Sequence, residues 1–406
     1  MQTSDTSSSR FTSGDPHADL LRYRSDFPIV MNKTFLNTCS LGALGTRTIA
    51  NVHEYLSLWA EMGASAWYKT WLGKCAELRG AYGRVVGAPE ERIALGPSIS
   101  ANLSGLMSAL DFSKRKKIIA TDLDFSTVGH SLLAKQREGI KVEFLRSPDK
   151  VSVPLDMFEA AIDEDTALVV TSHVYFTSGA IQDIKALAEI AHRKGALLLV
   201  DAYHGTGHVP TDVIDWDCDF YTSGSLKWLM GGSGITFLYV HERWRALEPT
   251  IAGWFGMSNM FSFDIDALQW RDSAARFETG TPSMSAVYAA LGGLSYIEEI
   301  GVQKIRERDG ALTNDLIRLA QEAGYKVRGN PNPSERTAIV MLEFDEPGAI
   351  VAELGKRDII VDYRPGTVRI SPYFYNTVEE NGMVVEAIKE ILGSQDRRWT
   401  TDDGRR

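Results

Sequence analysis

Lys227 stands between two apolar runs. Upstream lies Cys218-Asp-Phe-Tyr-Thr-Ser-Gly-Ser-Leu-Lys227; downstream come Trp228-Leu-Met-Gly-Gly-Ser-Gly234 and Ile235-Thr-Phe-Leu-Tyr-Val240. The order reads as strand, lysine, glycine-rich turn, strand, and the glycines allow tight turns and close backbone approach. A plain surface lysine needs no such flanks. A second apolar run, Ala196-Leu-Leu-Leu-Val-Asp201, ends on a carboxylate that must be solvated or paired, and His204 follows three residues later. A lysine can hold an aldehyde as a Schiff base, and an aspartate can keep a pyridine nitrogen protonated so that the ring accepts electrons. Lys227 and Asp201 together therefore suit pyridoxal 5′-phosphate (PLP).

The elements that must position them alternate between strand and helix from about residue 91, the pattern of parallel strands joined by crossover helices. Strands are predicted at 92–95, 117–120, 142–145, 167–171 and 196–200, with helices at 101–110, 128–138, 155–162 and 184–194. Before them, 34–37 reads as a strand and 48–86 as one or two Trp- and Tyr-rich helices broken at Gly63 and Gly73. A helix over 283–299 leads into an α+β region with strands at 337–344 and 368–371 and helices at 349–357 and 383–392. The expected division is a disordered tail at 1–17, an N-terminal segment at 18–50 contributing to a small domain, a large PLP-binding domain at 51–284, a small C-terminal domain at 285–394 and a disordered tail at 395–406.

Open parallel sheets bind ligands beyond the carboxyl ends of their strands, so the residues just after each run are read together. Ser98 and Ile99 open a helix after the first strand, where backbone N–H groups and hydroxyls can receive a phosphate; alone, Ser98 is an ordinary helix cap. Phe125 follows the next strand and is either core or a stacking face for a ring. His204 is a loop residue or a partner of the cofactor. No GxGxxG follows an early strand, which argues against a nicotinamide dehydrogenase.

Composition narrows the class further. The 406 residues carry a net charge of −10, and the basic run at 114–117 reads as a solvated turn, so nucleic acid is not the expected partner. Cys39, Cys75 and Cys218 form no CxxC, and neither a metal site nor a disulfide framework is indicated. The polar start lacks a secretion signal and no run is long enough to span a bilayer, so a cytoplasmic protein without a membrane partner is expected.

With these motifs the chain resembles the class V aminotransferase family of fold-type I PLP enzymes, and within it the kynureninase and isopenicillin-epimerase-like branches. The resemblance covers residues 35–392. It is carried by Asp201-Ala-Tyr-His204-Gly, by Ser223-Gly-Ser-Leu-Lys227 with its glycine turn, and by Gly253-Trp-Phe-Gly256. Arg276-Phe-Glu-Thr-Gly280-Thr281-Pro282 and Arg369-Ile-Ser-Pro-Tyr-Phe-Tyr-Asn376-Thr377 extend it. It implies an α/β fold: a large domain with a mostly parallel seven-stranded sheet, plus a small α+β C-terminal domain. It also implies that Lys227 binds PLP covalently and moves protons, that Asp201 pairs with the ring nitrogen, and that Phe125 stacks on the ring. His204 is expected beside the cofactor. Ser98, Ile99 (through its N–H), Ser225 and Tyr221 would serve the phosphate. Thr281 would reach the phosphate of a neighbouring subunit, which implies a homodimer with shared active sites. Arg369 would take the α-carboxylate of an amino-acid substrate in its planar fork, with Asn37 and Trp254 on the substrate side.

Departures bear on the reaction. Kynureninases carry a tyrosine immediately before the lysine, where this chain has Leu226, and no cysteine follows Cys218 to relay a persulfide. The expected activity is a lyase cleaving the Cβ–S or Cβ–C bond of a β-substituted amino acid. An aminotransferase and an amino-acid epimerase or racemase are the alternatives.

Overall fold

The apolar runs separated by amphipathic stretches pair into one sheet. A computed structural model describes residues 17–402. After a 3-10 helix at Ala18–Asp26, the described residues form α1 (Pro28–Asn32), β1 (Thr34–Phe35), α2 (Thr46–Met62) and α3 (Leu72–Val86). It then lays down β2 (Ile93–Gly96), α4 (Ile99–Ala109), β3 (Lys117–Thr121), α5 (Ser126–Lys135) and β4 (Lys141–Leu145). Next come α6 (Leu155–Ala161), β5 (Thr166–Ser172), α7 (Ile184–Arg193), β6 (Leu197–Asp201), β7 (Phe220–Gly224) and β8 (Thr236–Val240).

These strands form a seven-stranded sheet in the order β2-β8-β7-β6-β5-β3-β4. From β7 to β4 all neighbours are parallel, whereas β8 runs antiparallel to both β2 and β7. Every residue of β2, β3, β7 and β8 is buried, which is why these strands read as continuous apolar runs rather than as alternation. Successive side chains serve opposite faces. Ile119, Val169, Leu198 and Phe237 join one core, while Ile118, Leu168, Leu199 and Leu238 join the other.

Helix α8 (Met284–Ile300) packs against α2 and leads into α9 (Val302–Glu322). Beyond them lie β9 (Val327–Arg328), β10 (Val340–Glu343), α10 (Pro347–Gly355), β11 (Ile359–Ile360), β12 (Asp362–Arg364), β13 (Thr367–Ile370) and α11 (Val378–Asp402). Four of these strands form an antiparallel sheet in the order β12-β13-β10-β9. The N-terminal strand is stitched to the same region, since β1 pairs in parallel with β11 through Thr34–Ile359 and Phe35–Ile360. A third core built on Leu36, Leu316, Val340, Ile370 and Ile388 holds this region together.

Several expectations shift. The helical stretch at 48–86 breaks at Gly63, which has φ 51°, but Gly73 lies inside α3. The second irregularity is instead a π-turn at Trp67–Trp71, where two indoles meet edge-on at 5.0 Å. The strand expected at 337–344 is shortened to Val340–Glu343 because Thr337 bonds Gly179 O through its N–H (2.8 Å) and its hydroxyl (3.0 Å). Helix α11 continues to Asp402, into the stretch assigned to a C-terminal tail. Residues 1–16 and 403–406, the remainder of the two expected tails, lie outside the described residues. Among the described residues no helix is long and apolar enough to cross a membrane, and no cluster of His, Cys, Asp and Glu could hold a metal.

Candidate active site

The carboxyl ends of β5, β6 and β7 open on a cavity of about 320 Å³, closed at one end by the start of α4. Lys227 lies in the turn after β7, and its Nζ stands 2.5 Å from His204 Nε2. Two cations could not approach so closely. Burial pushes the His204 imidazole far below its usual range, helped by the charges of Lys227 and Arg369. Burial also lowers the Lys227 amine to about 7, against the pull of the Asp201 carboxylate. His204 is therefore neutral.

Asp201 ends β6 and accepts the Tyr203 N–H at 3.0 Å. Burial raises its carboxyl above the usual range, while that N–H and the Lys227 charge act in the opposite direction. The Tyr203 ring lies 4.6 Å from Lys227 Nζ, measured to its centroid. It can lie there because residue 224 is glycine, where a Cβ would stand 2.5 Å from the ring.

Ser98 caps α4, its Oγ accepting from Ala101 N at 3.2 Å. The helix is pinned to the sheet by Asn102, whose Nδ2 lies 3.0 Å from Thr222 Oγ1 and 3.2 Å from both Thr236 Oγ1 and Phe237 O. Gly96 makes room for it, since a Cβ would meet Asn102 Oδ1 at 1.9 Å. The cavity thus ends on the positive end of a helix, flanked by Ser100, Thr127, Ser233 and Thr236. That is a seat for an anion. Phe125 opens α5 and meets Phe176 edge-on at 5.3 Å. Asp124 accepts from Ser172 N (2.7 Å) and Thr121 N (2.8 Å), so the ends of β3 and β5 are tied beneath Phe125.

A buried amine, a carboxylate on the adjoining strand, a ring-sized space and an anion seat are what a phosphorylated pyridine aldehyde asks of a fold, and these residues fit PLP. Comparison with known proteins defines the same class. The aminotransferase class-V family model matches residues 95–382. An uncharacterized aminotransferase of Bacillus subtilis (strain 168), YcbU, is 33% identical over 90% of this chain and 96% of its own length. A kynureninase of Geobacillus thermodenitrificans (strain NG80-2) is 30% identical over 93% of this chain and 92% of its own. The fold is shared with a cysteine desulfurase from Thermococcus onnurineus NA1, at TM-score 0.83 and 23% identity over 92% of this chain and 98% of that one. The cystine C-S lyase C-DES also superposes, at TM-score 0.83 and 20% identity over 89% and 98%. The chain belongs to the class-V aminotransferase family and is a PLP-dependent enzyme.

The cavity brings together Ser98, Ile99, Phe125, Asp201, His204 and Lys227. Other expected residues lie elsewhere. Tyr221 sits mid-strand with its hydroxyl 3.0 Å from Thr206 Oγ1, facing core rather than cavity. Ser225 spends its hydroxyl on the carbonyls of Gly232 (2.7 Å) and Ile235 (3.3 Å), bracing the glycine turn. Neither hydroxyl faces the anion seat. Thr281 lines an adjoining depression that shares Pro97 and Gly234 with the cavity. Trp254 borders a separate depression with Met257 and Phe263, and its ring packs on Phe255 at 4.8 Å. Asn37 is held by a bridge to Ser371, and its Oδ1 is buried without a partner. Arg369 is fully buried behind the cavity wall and donates through Nη1 to the carbonyl of Phe176 at 3.3 Å. Sequence reading passed over Tyr203, Phe176 and Asn102. The first two also follow strand ends, the signal that found Phe125; an asparagine inside a helix carried no such signal.

Proposed function

We propose that this protein is a lyase that cleaves the Cβ–S or Cβ–C bond of a β-substituted amino acid. The observation that carries the reading is the approach of His204 Nε2 to Lys227 Nζ at 2.5 Å in a buried site, where burial lowers the proton affinity of both groups. PLP, when bound, supplies the electron sink that makes a carbanion at the substrate α-carbon accessible. Lys227 would be its covalent attachment, and its amine would be the base that takes the proton from Cα of the substrate. An amine lowered to about 7 is partly free base at neutral pH. Asp201 would hold a proton at the ring nitrogen, Phe125 would cover a ring face, and the start of α4 at Ser98 and Ile99 would receive the phosphate. His204 keeps the Lys227 amine aimed. Phe176, Val174 and Leu226 present apolar surface that excludes water where the β-substituent departs.

The kynureninase relative supports the lyase reading. An aminotransferase is the second reading, favoured by the resemblance to a protein described as an uncharacterized aminotransferase; it would use the same lysine and aspartate. We also assign a homodimer, supported by the position of Thr281 one wall away from the cavity.

The test is a visible spectrum of the purified protein before and after a panel of β-substituted amino acids, with product analysis. A visible band lost on borohydride reduction, together with catalytic release of the β-substituent, supports the lyase. A 2-oxo acid formed with equimolar pyridoxamine phosphate replaces it with the aminotransferase, and loss of optical purity alone replaces it with a racemase. A protein that takes up no PLP overturns every one of these readings.

A further inference from the structure

Behind Phe176, two guanidinium groups share one carboxylate. Asp362, on the edge strand β12, accepts on the single oxygen Oδ2 from Arg369 Nη2 (2.7 Å), Arg364 Nη1 (2.8 Å) and the Ser40 hydroxyl (2.5 Å). Its other oxygen takes the Tyr363 N–H at 2.6 Å. Ser40 Oγ in turn accepts from Arg369 Nη2 at 2.7 Å, and Arg369 Nε is buried without a partner. Arg364 Cζ lies 5.9 Å from the centroid of Phe176, a residue of the cavity wall. Burial opposes ionisation of Asp362, but the Ser40 hydroxyl and the two guanidiniums hold it below the usual carboxylate range. Both guanidiniums are felt inside the cavity, where each disfavours protonation of Lys227 and of His204.

The charges can be counted. Arg364 and Arg369 contribute two positive charges and Asp362 one negative, which leaves one positive charge to be met. A substrate α-carboxylate meets it. Among the residues lining the cavity the charged groups are Asp201 and Lys227, and the rest of the wall is apolar or neutral. A second carboxylate on the substrate side chain would face Phe125, Phe176, Val174 and Leu226 with no cation left over, and Asp201 in the same wall.

We propose that Asp362 is a specificity-determining residue: by occupying the second arginine's capacity for a carboxylate, it restricts the site to amino acids with uncharged side chains. This rests on the reading of the protein as an enzyme acting on amino acids. It does not require the α-carboxylate to touch Arg369, because unpaired charge in a low-dielectric site acts over several ångströms.

The experiment uses the holoenzyme and pairs of amino acids that differ in charge but hardly in shape: L-asparagine with L-aspartate, and S-carbamoylmethyl-L-cysteine with S-carboxymethyl-L-cysteine. The readout is the half-saturating concentration for the change in the visible cofactor band. Wild type is expected to favour the neutral member of each pair by at least tenfold. Asp362→Asn should shrink that preference at least tenfold, and Arg364→Met should weaken both members and widen it. The double variant should return it towards wild type. A preference within twofold of wild type in Asp362→Asn overturns the proposal, as does a wild type indifferent to charge. Should Asp362→Asn not fold by circular dichroism, an unchanged preference in Arg364→Met does the same. A holoenzyme whose band responds to no amino acid in any variant identifies failure of the underlying reading, which removes the proposal with it.

Discussion

Lys227 Nζ and His204 Nε2 meet at 2.5 Å although they arrive on different loops, one after β7 and one after β6. The fold secures that meeting from below. The His208 ring stacks on the Trp228 indole at 3.7 Å and 10°, and its Nε2 lies 2.8 Å from the carbonyl of His204. The Tyr373 hydroxyl lies 2.9 Å from both Gly207 O and Trp228 O. Lys227 is thus the neighbour of Trp228, and His204 is bonded to His208, both residues of this inner layer. The geometry is set by packing before any cofactor enters.

Burying Lys227 costs the apoprotein stability, and the sign of its pH dependence follows. The folded-state value of about 7 lies below the unfolded value of 10.5, so the unfolded chain binds more protons between them. The penalty is complete below pH 7 and fades as pH rises towards 10.5. Lys227→Met should therefore be more stable than wild-type apoprotein at pH 6, by on the order of 1–3 kcal/mol. The gap should narrow by pH 9.5. Urea unfolding of both apoproteins at the two pH values checks this, and a gap independent of pH would place the amine in water.

Asn102→Ala should loosen the anion seat without disturbing Lys227. Its Nδ2 is what ties α4 to β7 and β8. The hydroxyls it leaves behind keep other acceptors, Phe237 O at 2.9 Å for Thr222 and Gly96 O at 2.9 Å for Thr236. The loss should be about 1–2 kcal/mol, read as a roughly tenfold weaker affinity for PLP. Turnover at saturating PLP should change less. Titration of the visible band checks the first, and an unchanged affinity would place the phosphate away from α4.

Much of this arrangement was legible because it rides on strand ends. Lys227, Asp201, Phe125 and Ser98 each follow an apolar run, and parallel topology gathers such positions at one edge. Tyr221 and Ser225 lie close to the same strand end but bond their hydroxyls elsewhere. Tyr221 lies within β7 rather than past it, and Ser225 turns its hydroxyl to carbonyls ten or fewer residues away. Contacts between distant segments left no local trace. Asp362 with Ser40 and Arg369 joins residues separated by 322 and 7 positions, and only the pairing of β12 with β13 and the return of the N-terminal segment brings them together.

Arg79 and Glu278 form a buried two-point ion pair, with Nε–Oε1 at 2.8 Å and Nη2–Oε2 at 2.7 Å, and Glu278 also takes the Leu95 N–H at 3.0 Å. This joins α3, β2 and the segment leading to Thr281. Glu278→Ala leaves a guanidinium buried and unpaired, which should cost about 3–5 kcal/mol. Denaturant unfolding of the apoprotein measures it. A loss under 1 kcal/mol would mean that water replaces the carboxylate.

Phe125 separates a stacking role from a core role. The residue is 41% exposed and its ring meets Phe176 edge-on rather than packing inside the sheet. A core phenylalanine truncated to alanine costs about 3–5 kcal/mol, whereas a residue this exposed should cost the apoprotein under about 1 kcal/mol. If the ring instead covers a face of the cofactor, the loss appears only when PLP is bound. Stacking beyond area burial is worth about 0.5–1.5 kcal/mol, so Phe125→Ala should bind PLP several-fold to about tenfold more weakly. Thermal melts of both apoproteins and holoenzymes separate the two roles. Equal destabilisation with and without PLP would assign Phe125 to the core, and a loss confined to the holoenzyme would assign it to the ring.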